Sequence, residues 1–118
     1  MARIYSNNGE KPVIDQTKVL AFFEVRAEKA KKHDVNYKQA VIYQDKKPEL
    51  AEARDQAEQT LLLPKFALTS KERFLDIGCG TGRWLHALHE QVAYYHGIDA
   101  SNGLIEIAKQ QFNQAHIR

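Results

Sequence analysis

One cysteine, Cys79, stands alone in this chain, so an internal disulfide framework is excluded. That suits a reducing compartment, and a cytoplasmic protein is the expectation. No apolar run approaches the roughly 20 residues a membrane-spanning helix needs, so no membrane partner is expected. Met1 is followed by polar residues instead of an apolar stretch, so no secretory signal is expected. Charge of one sign is also scarce. Seventeen Lys and Arg face 15 Asp and Glu, a net charge of +2, which argues against an electrostatic nucleic-acid surface. The basic run Lys29, Lys31, Lys32 falls late in a predicted helix, where the helix C-terminus and water accommodate it. There is no internal repeat and no low-complexity tract. A chain of this length can form one small domain, burying somewhat over about 60% of its surface.

The first half reads as helical. Residues 1–14 are polar, with Asn7-Asn8-Gly9 and Pro12, and are expected to form a flexible arm or loop. Asp15 or Thr17 caps a predicted helix running to about His33. Val19, Phe22, Phe23, Arg26, Ala27 and Ala30 trace one of its faces. Residues 34–47 are less regular, and Ala40-Val41-Ile42-Tyr43 reads as a short extended piece. Pro48 suits the first turn of a second helix. Its apolar stripe is Leu50, Ala53, Ala57 and Leu61, and Pro64 is expected to end it.

From Arg73 the pattern changes. Phe74, Leu75 and Ile77 form a short apolar run, as in a parallel strand covered on both faces. A helix beginning near Gly82 buries Trp84, Leu85, Leu88 and Val92. A second strand spans 93–98. Ser101 or Asn102 caps a further helix that turns Leu104, Ile105, Ala108 and Phe112 inward. This β-α-β-α order predicts parallel strands. Ala115-His116-Ile117-Arg118 reads as the approach to a third strand.

Between the first strand and its helix lies Asp76-Ile77-Gly78-Cys79-Gly80-Thr81-Gly82. Three glycines at alternate positions let backbone approach a nucleotide-like ligand at a helix start. Asp99 closes the second strand, 21 positions after Gly78, where a carboxylate can meet ribose hydroxyls. A nicotinamide or flavin dinucleotide site wants G-x-G-x-x-G with a small third residue, and in that frame Arg83 is far too large. D-I-G-C-G-T-G followed by H-G-I-D-A-S instead resembles the first two cofactor motifs of class I S-adenosylmethionine-dependent methyltransferases.

The resemblance implies an α/β, Rossmann-like methyltransferase fold, truncated after its first two βα units and preceded by an α-helical lid. It divides the chain into an arm and lid over 1–66 and a half-core over 67–118. The family's sheet has seven strands, so the chain is expected to be a fragment with an exposed sheet edge that drives self-association. The implied cofactor is S-adenosyl-L-methionine, held by Asp76, Gly78, Cys79, Gly80, Gly82, Asp99 and Ala100. Asp99, acceptor-only when ionised, can take both ribose hydroxyls, although it could instead cap the following helix. The N–H groups near Gly82 favour the methionine carboxylate. Asp76 would organise the turn and the ammonium side, while Ile98 and Ala100 flank the adenosine.

The implied activity is methyl transfer to a small-molecule acceptor. No catalytic base can be named, and the isolated fragment is expected to be inactive. The alternatives are a noncatalytic interaction or regulatory remnant and, behind it, a dinucleotide-binding oxidoreductase. Tyr37, Tyr43 and Gln44 sit where a lid could touch cofactor or substrate, or the tyrosines simply pack with their hydroxyls at the surface. Arg83 reaches a carboxylate or stands exposed. His86, His89 and Glu90 do not make H-E-x-x-H, and no metal site is expected. Cys79 reads as a small turn residue and not as a reactive thiol.

Overall fold

The computed structural model describes residues 13–112 and the backbone of residues 116–117. Most of the N-terminal arm, residues 1–12, lies outside the described residues. Helix α1 (Gln16–Lys31) starts at Asp15, whose carboxylate accepts the N–H groups of Thr17 at 3.0 Å and Lys18 at 3.2 Å. Two otherwise orphaned donors are satisfied there, which is what an N-cap supplies. Arg26 and Ala27 are buried on α1, with Phe23 and Ala30 partly so, while Val19 and Phe22 stay exposed.

Helix α2 (Tyr37–Ile42) replaces the extended piece expected around Ala40–Tyr43. Asn36 accepts the N–H of Gln39 at 2.8 Å, and the Gln39 side chain accepts the N–H of Asn36 at 2.9 Å. This reciprocal capping box outweighs the small strand preference of Val41 and Ile42. The helix stops at Tyr43, which adopts the left-handed conformation at φ 62°.

Helix α3 (Pro48–Phe66) starts at its proline as expected but runs through Pro64 instead of ending there. Proline costs a hydrogen bond inside a helix. Here the last turn is held by Phe66, whose ring lies 5.8 Å from Phe74 and 5.9 Å from Trp84. The expected apolar stripe is also corrected. Leu50 and Leu61 are exposed, and α3 turns Ala51 and Asp55 inward. The inward face instead carries Asp55, paired with Lys38 and Arg83.

The sheet is parallel, in the order β1-β2-β3, with β1 (Arg73–Ile77), β2 (Tyr94–Ile98) and β3 (His116–Ile117). A two-residue third strand therefore forms beside β2, where only an approach was expected. Helix α4 (Arg83–Leu88) follows β1, and α5 (Asn102–Gln111) follows β2. Ser101 caps α5 by accepting the N–H of Leu104. One sheet face is packed. Phe74 stacks on its neighbour Tyr95, and Cys79, Leu85, Tyr95, Ile105 and Ala108 form the core against α4 and α5. A second cluster of Ala27, Leu104 and Ile107 fastens α1 to α5.

The other face is open. Leu75 is 58% and Ile77 76% exposed, so β1 is covered on one face and not on two as its composition suggested. Among the described residues β1 is also the edge of the sheet.

Candidate cofactor site

The glycine turn is closed by its own backbone and by one carboxylate. The N–H groups of Gly78 and Cys79 both donate to the Ile98 carbonyl, at 2.7 and 3.0 Å. The N–H of Gly80 donates to Asp99 Oδ2 at 2.9 Å, and Asp99 Oδ1 accepts from Ser101 N–H at 2.8 Å. Gly78, Gly80 and Gly82 all have positive φ, at 78°, 55° and 85°. At Gly80 the requirement is double, because a Cβ would also come within 3.1 Å of Val41 Cγ1 on α2. A Cβ at Gly78 would meet nothing within 4 Å, so this part of the turn is open to a ligand.

Asp99 thus closes a local turn onto the Ser101 N–H and clamps the glycine turn as well, while the cap of α5 is Ser101 and not Asp99. A carboxylate has about four lone-pair sites, so two N–H partners leave acceptor capacity for hydroxyl groups. The N–H of Gly82, expected to favour a ligand anion, instead donates to the Cys79 carbonyl at 3.0 Å. Asp76 ends β1 with its carboxylate fixed by the Tyr95 hydroxyl, which donates at 2.6 Å. Burial, and then the Asp76 acceptor, push the Tyr95 phenol far above its ordinary pKa, so it remains a donor. Burial chiefly, with the Asp76 and Asp99 charges, pushes the Cys79 thiol up to about 12. Thiolate chemistry is thereby suppressed, in agreement with its reading as a turn residue.

A cavity of about 940 Å³ lies over this turn. Asp76, Gly78, Cys79, Gly80, Asp99 and Ala100 line it, together with Ile98; Gly82 does not. The opposite wall comes from the helices: Val19, Leu20 and Phe23 of α1, with Val41 and Tyr43. Sequence reasoning left Tyr43 open between a lid contact and surface packing, and did not single out the others. Val19 and Phe23 had been assigned simply to a packing face.

Several contacts hold those helices against the turn. Thr81 is fully buried, and its hydroxyl donates to the Tyr37 carbonyl at 2.7 Å. Glu24 accepts from the Ser101 hydroxyl at 2.8 Å, and a Cβ at Gly103 would collide with Ala27. Arg26 donates to the Ala40 carbonyl at 3.0 Å and the Gln39 carbonyl at 2.7 Å, and pairs with Asp45. Arg83 reaches carboxylates, as one of its two readings held: Asp55 and Glu58, each at 2.8 Å. Lys38 adds a second cation 2.9 Å from Asp55, which is only 1% exposed. Burial alone would raise the Asp55 pKa, but hydrogen bonds from Arg83 and Lys38 hold it below the ordinary carboxylate value.

Other candidates are placed elsewhere. Tyr37 is partly buried against the second cluster, 5.8 Å from His86. Gln44 offers its carbonyl to the Gln39 amide at 2.8 Å. His86 and His89 are exposed and pack beside Phe112. Among the described residues no cluster of His, Cys, Asp or Glu could hold a metal, and no helix is long and apolar enough to cross a membrane. Lys29 and Lys31 pair with Asp45 and Glu106, which gives part of the basic run acidic neighbours within the chain.

Residues 74–118 match the methyltransferase domain family. Solved structures share the fold. A phosphoethanolamine N-methyltransferase from Haemonchus contortus, in complex with phosphoethanolamine and S-adenosylhomocysteine, superposes with a TM-score of 0.63 at 14% identity, over 89% of this chain and 22% of that one. Magnesium protoporphyrin IX methyltransferase from Synechocystis, with bound S-adenosylmethionine, gives 0.58 at 21% identity, over 92% and 56%. An S-adenosylmethionine-dependent methyltransferase from Anabaena variabilis gives 0.52 at 19% identity, over 92% and 40%. The chain therefore spans between 22% and 56% of the length of these proteins. No curated protein sequence matches it.

Proposed function

We propose that this chain, whose residues 74–118 match the methyltransferase domain family and whose fold is shared with methyltransferases solved with S-adenosylmethionine or S-adenosylhomocysteine, uses its glycine turn and Asp99 to bind S-adenosylmethionine for methyl transfer to a small molecule. The observation that carries this reading is the turn itself: three positive-φ glycines, the middle one clamped by Asp99, on the wall of a ligand-sized cavity. In this reading Asp99 uses its remaining lone pairs for the ribose hydroxyls. Asp76 faces the ammonium side, directly or through water. The backbone at Gly78, Cys79 and Gly80 shapes the bed, with Gly82 closing the turn behind it, and Ile98 and Ala100 flank the adenosine.

The cofactor supplies the electrophilic methyl group. The protein aligns donor and acceptor and excludes water. Residues 1–66 act as arm and lid, and 67–118 as the first part of the core. The chain spans 22% to 56% of the length of the methyltransferases it superposes on, and by itself it is expected to bind cofactor weakly and not to turn over. It is also expected to self-associate through β1 and the open face around Leu75 and Ile77. Light scattering that finds a compact monomer, or radiolabelled methyl transfer with multiple turnovers, would contradict these expectations.

Asp99→Ala tests the cofactor reading. Affinity for S-adenosylhomocysteine should fall by about 1–3 kcal/mol, the cost of losing hydrogen bonds to a charged group. Preference for that ligand over its 2′,3′-dideoxy analogue should vanish as well. Calorimetry that finds the preference intact would reduce Asp99 to a clamp on the turn.

A further inference from the structure

The two walls of the cavity differ in chemistry, and we propose that the helical wall selects an uncharged methyl acceptor with an aromatic or hydrocarbon surface, packed against Tyr43. This deepens the cofactor reading above and rests on it. Val19, Leu20 and Tyr43 line the cavity yet remain 45%, 39% and 51% exposed. Apolar surface left open inside a concavity is stabilised when an apolar ligand covers it. Apart from the Tyr43 hydroxyl, the polar side chain on this wall is the neutral amide of Gln16.

Charge complementarity narrows the choice. Arg83 is the cation lining the cavity among the described residues, and two carboxylates stand 2.8 Å from it. A phosphate or carboxylate on the acceptor would therefore meet no uncompensated positive charge. A cationic acceptor would have to compete with the cofactor for Asp76 and Asp99. An uncharged acceptor meets neither obstacle.

Tyr43 is fixed in place. Its left-handed backbone is uncommon for a bulky residue. Its ring is braced by Phe22, 5.7 Å away edge-on, and by the Arg26 guanidinium, 5.4 Å from the ring centroid. Arg26 is itself anchored by the Ala40 and Gln39 carbonyls. A braced aromatic ring loses little freedom on binding, which suits it to stacking against a flat partner.

The test follows amide chemical shifts of the whole chain, with and without S-adenosylhomocysteine, on addition of 2-naphthol, 2-naphthyl phosphate or phosphoethanolamine. 2-Naphthol should shift Leu20, Val41 and Tyr43 saturably. Its phosphate ester should bind at least about tenfold more weakly, a difference of about 1.4 kcal/mol, and phosphoethanolamine should not saturate. Tyr43→Asn removes the ring while keeping a residue at ease in the left-handed region, and should lower 2-naphthol affinity by about tenfold. Val19→Lys should reverse the preference between 2-naphthol and its phosphate.

Equal or tighter binding of the phosphate by the unmodified chain, no 2-naphthol binding, or unchanged affinity in Tyr43→Asn would overturn the proposal. So would shifts along this wall that follow protein concentration alone, which would make it an interface between copies. S-adenosylhomocysteine is titrated separately, at the Gly78–Gly80 amides. Failure there with 2-naphthol still bound would sink the cofactor reading and, with it, the methyl-acceptor role of the wall, while the reverse pattern would sink only the acceptor inference.

Discussion

Asp55→Ala is expected to destabilise the chain by about 3–5 kcal/mol, the usual cost of removing one partner from a buried ion pair. Lys38 and Arg83 would lose their shared carboxylate while remaining largely buried, at 13% and 17% side-chain exposure. Glu52 and Glu58 offer them partial replacement, which places the effect toward the lower end. Because Arg83 opens α4 directly after the glycine turn, the same change should loosen the helical wall over the cavity. Trp84 is the only tryptophan and lies beside Arg83, so its fluorescence reports the event. Urea unfolding followed at Trp84 measures the cost; a shift below about 0.5 kcal/mol, the scale of an exposed pair, would show the cluster to be ornamental.

Acid should mimic the substitution. The folded-state pKa of Asp55 is depressed, so its contribution is complete above the unfolded value near 4 and is lost as pH falls through the folded value. Glu58 is depressed in the same direction, by hydrogen bonds from Arg54 and Arg83 that overcome its burial. Loss of stability below about pH 4 should therefore be shallower in Asp55→Ala than in the unmodified chain.

The second large effect is expected at Gly80. Gly80→Val places a β-branched side chain at φ 55° and its Cβ within 3.1 Å of Val41 Cγ1. Backbone strain of this kind costs on the order of 1–3 kcal/mol. The turn would relieve it by moving, which breaks the Gly80 N–H bond to Asp99 and shifts α2 away from the cavity. S-adenosylhomocysteine binding should be abolished, while far-UV circular dichroism changes little, because no helix or strand contains residue 80. Calorimetry that finds the affinity of the unmodified chain retained in the valine variant would show that the ligand does not depend on this turn.

Much of the second half was legible in the sequence because its signals are local. A glycine turn, an aspartate at the end of each strand and the Ser101 cap are each fixed by residues a few positions apart. They settled β1, β2, α4, α5 and the line of the turn. The helix at Tyr37–Ile42 was legible too, in the Asn36–Gln39 capping box, but the β-branched pair Val41-Ile42 was read instead. What sequence alone could not decide is how the helices sit on the core. That depends on contacts between residues far apart: Asp55 with Arg83, Thr81 with the Tyr37 carbonyl, Glu24 with Ser101. Periodicity assigned α3 an apolar face, and tertiary structure chose its ionic one, because charges pair only when another element brings the partner. Phe66 likewise carried α3 past Pro64, since its ring finds Phe74 and Trp84 only after folding. The alternating glycines determined that a tight, positive-φ turn would form between β1 and α4; the docking of α1 and α2 decided that an apolar wall with Tyr43 would face it across a cavity, because a wall is a property of packed elements and not of any one segment.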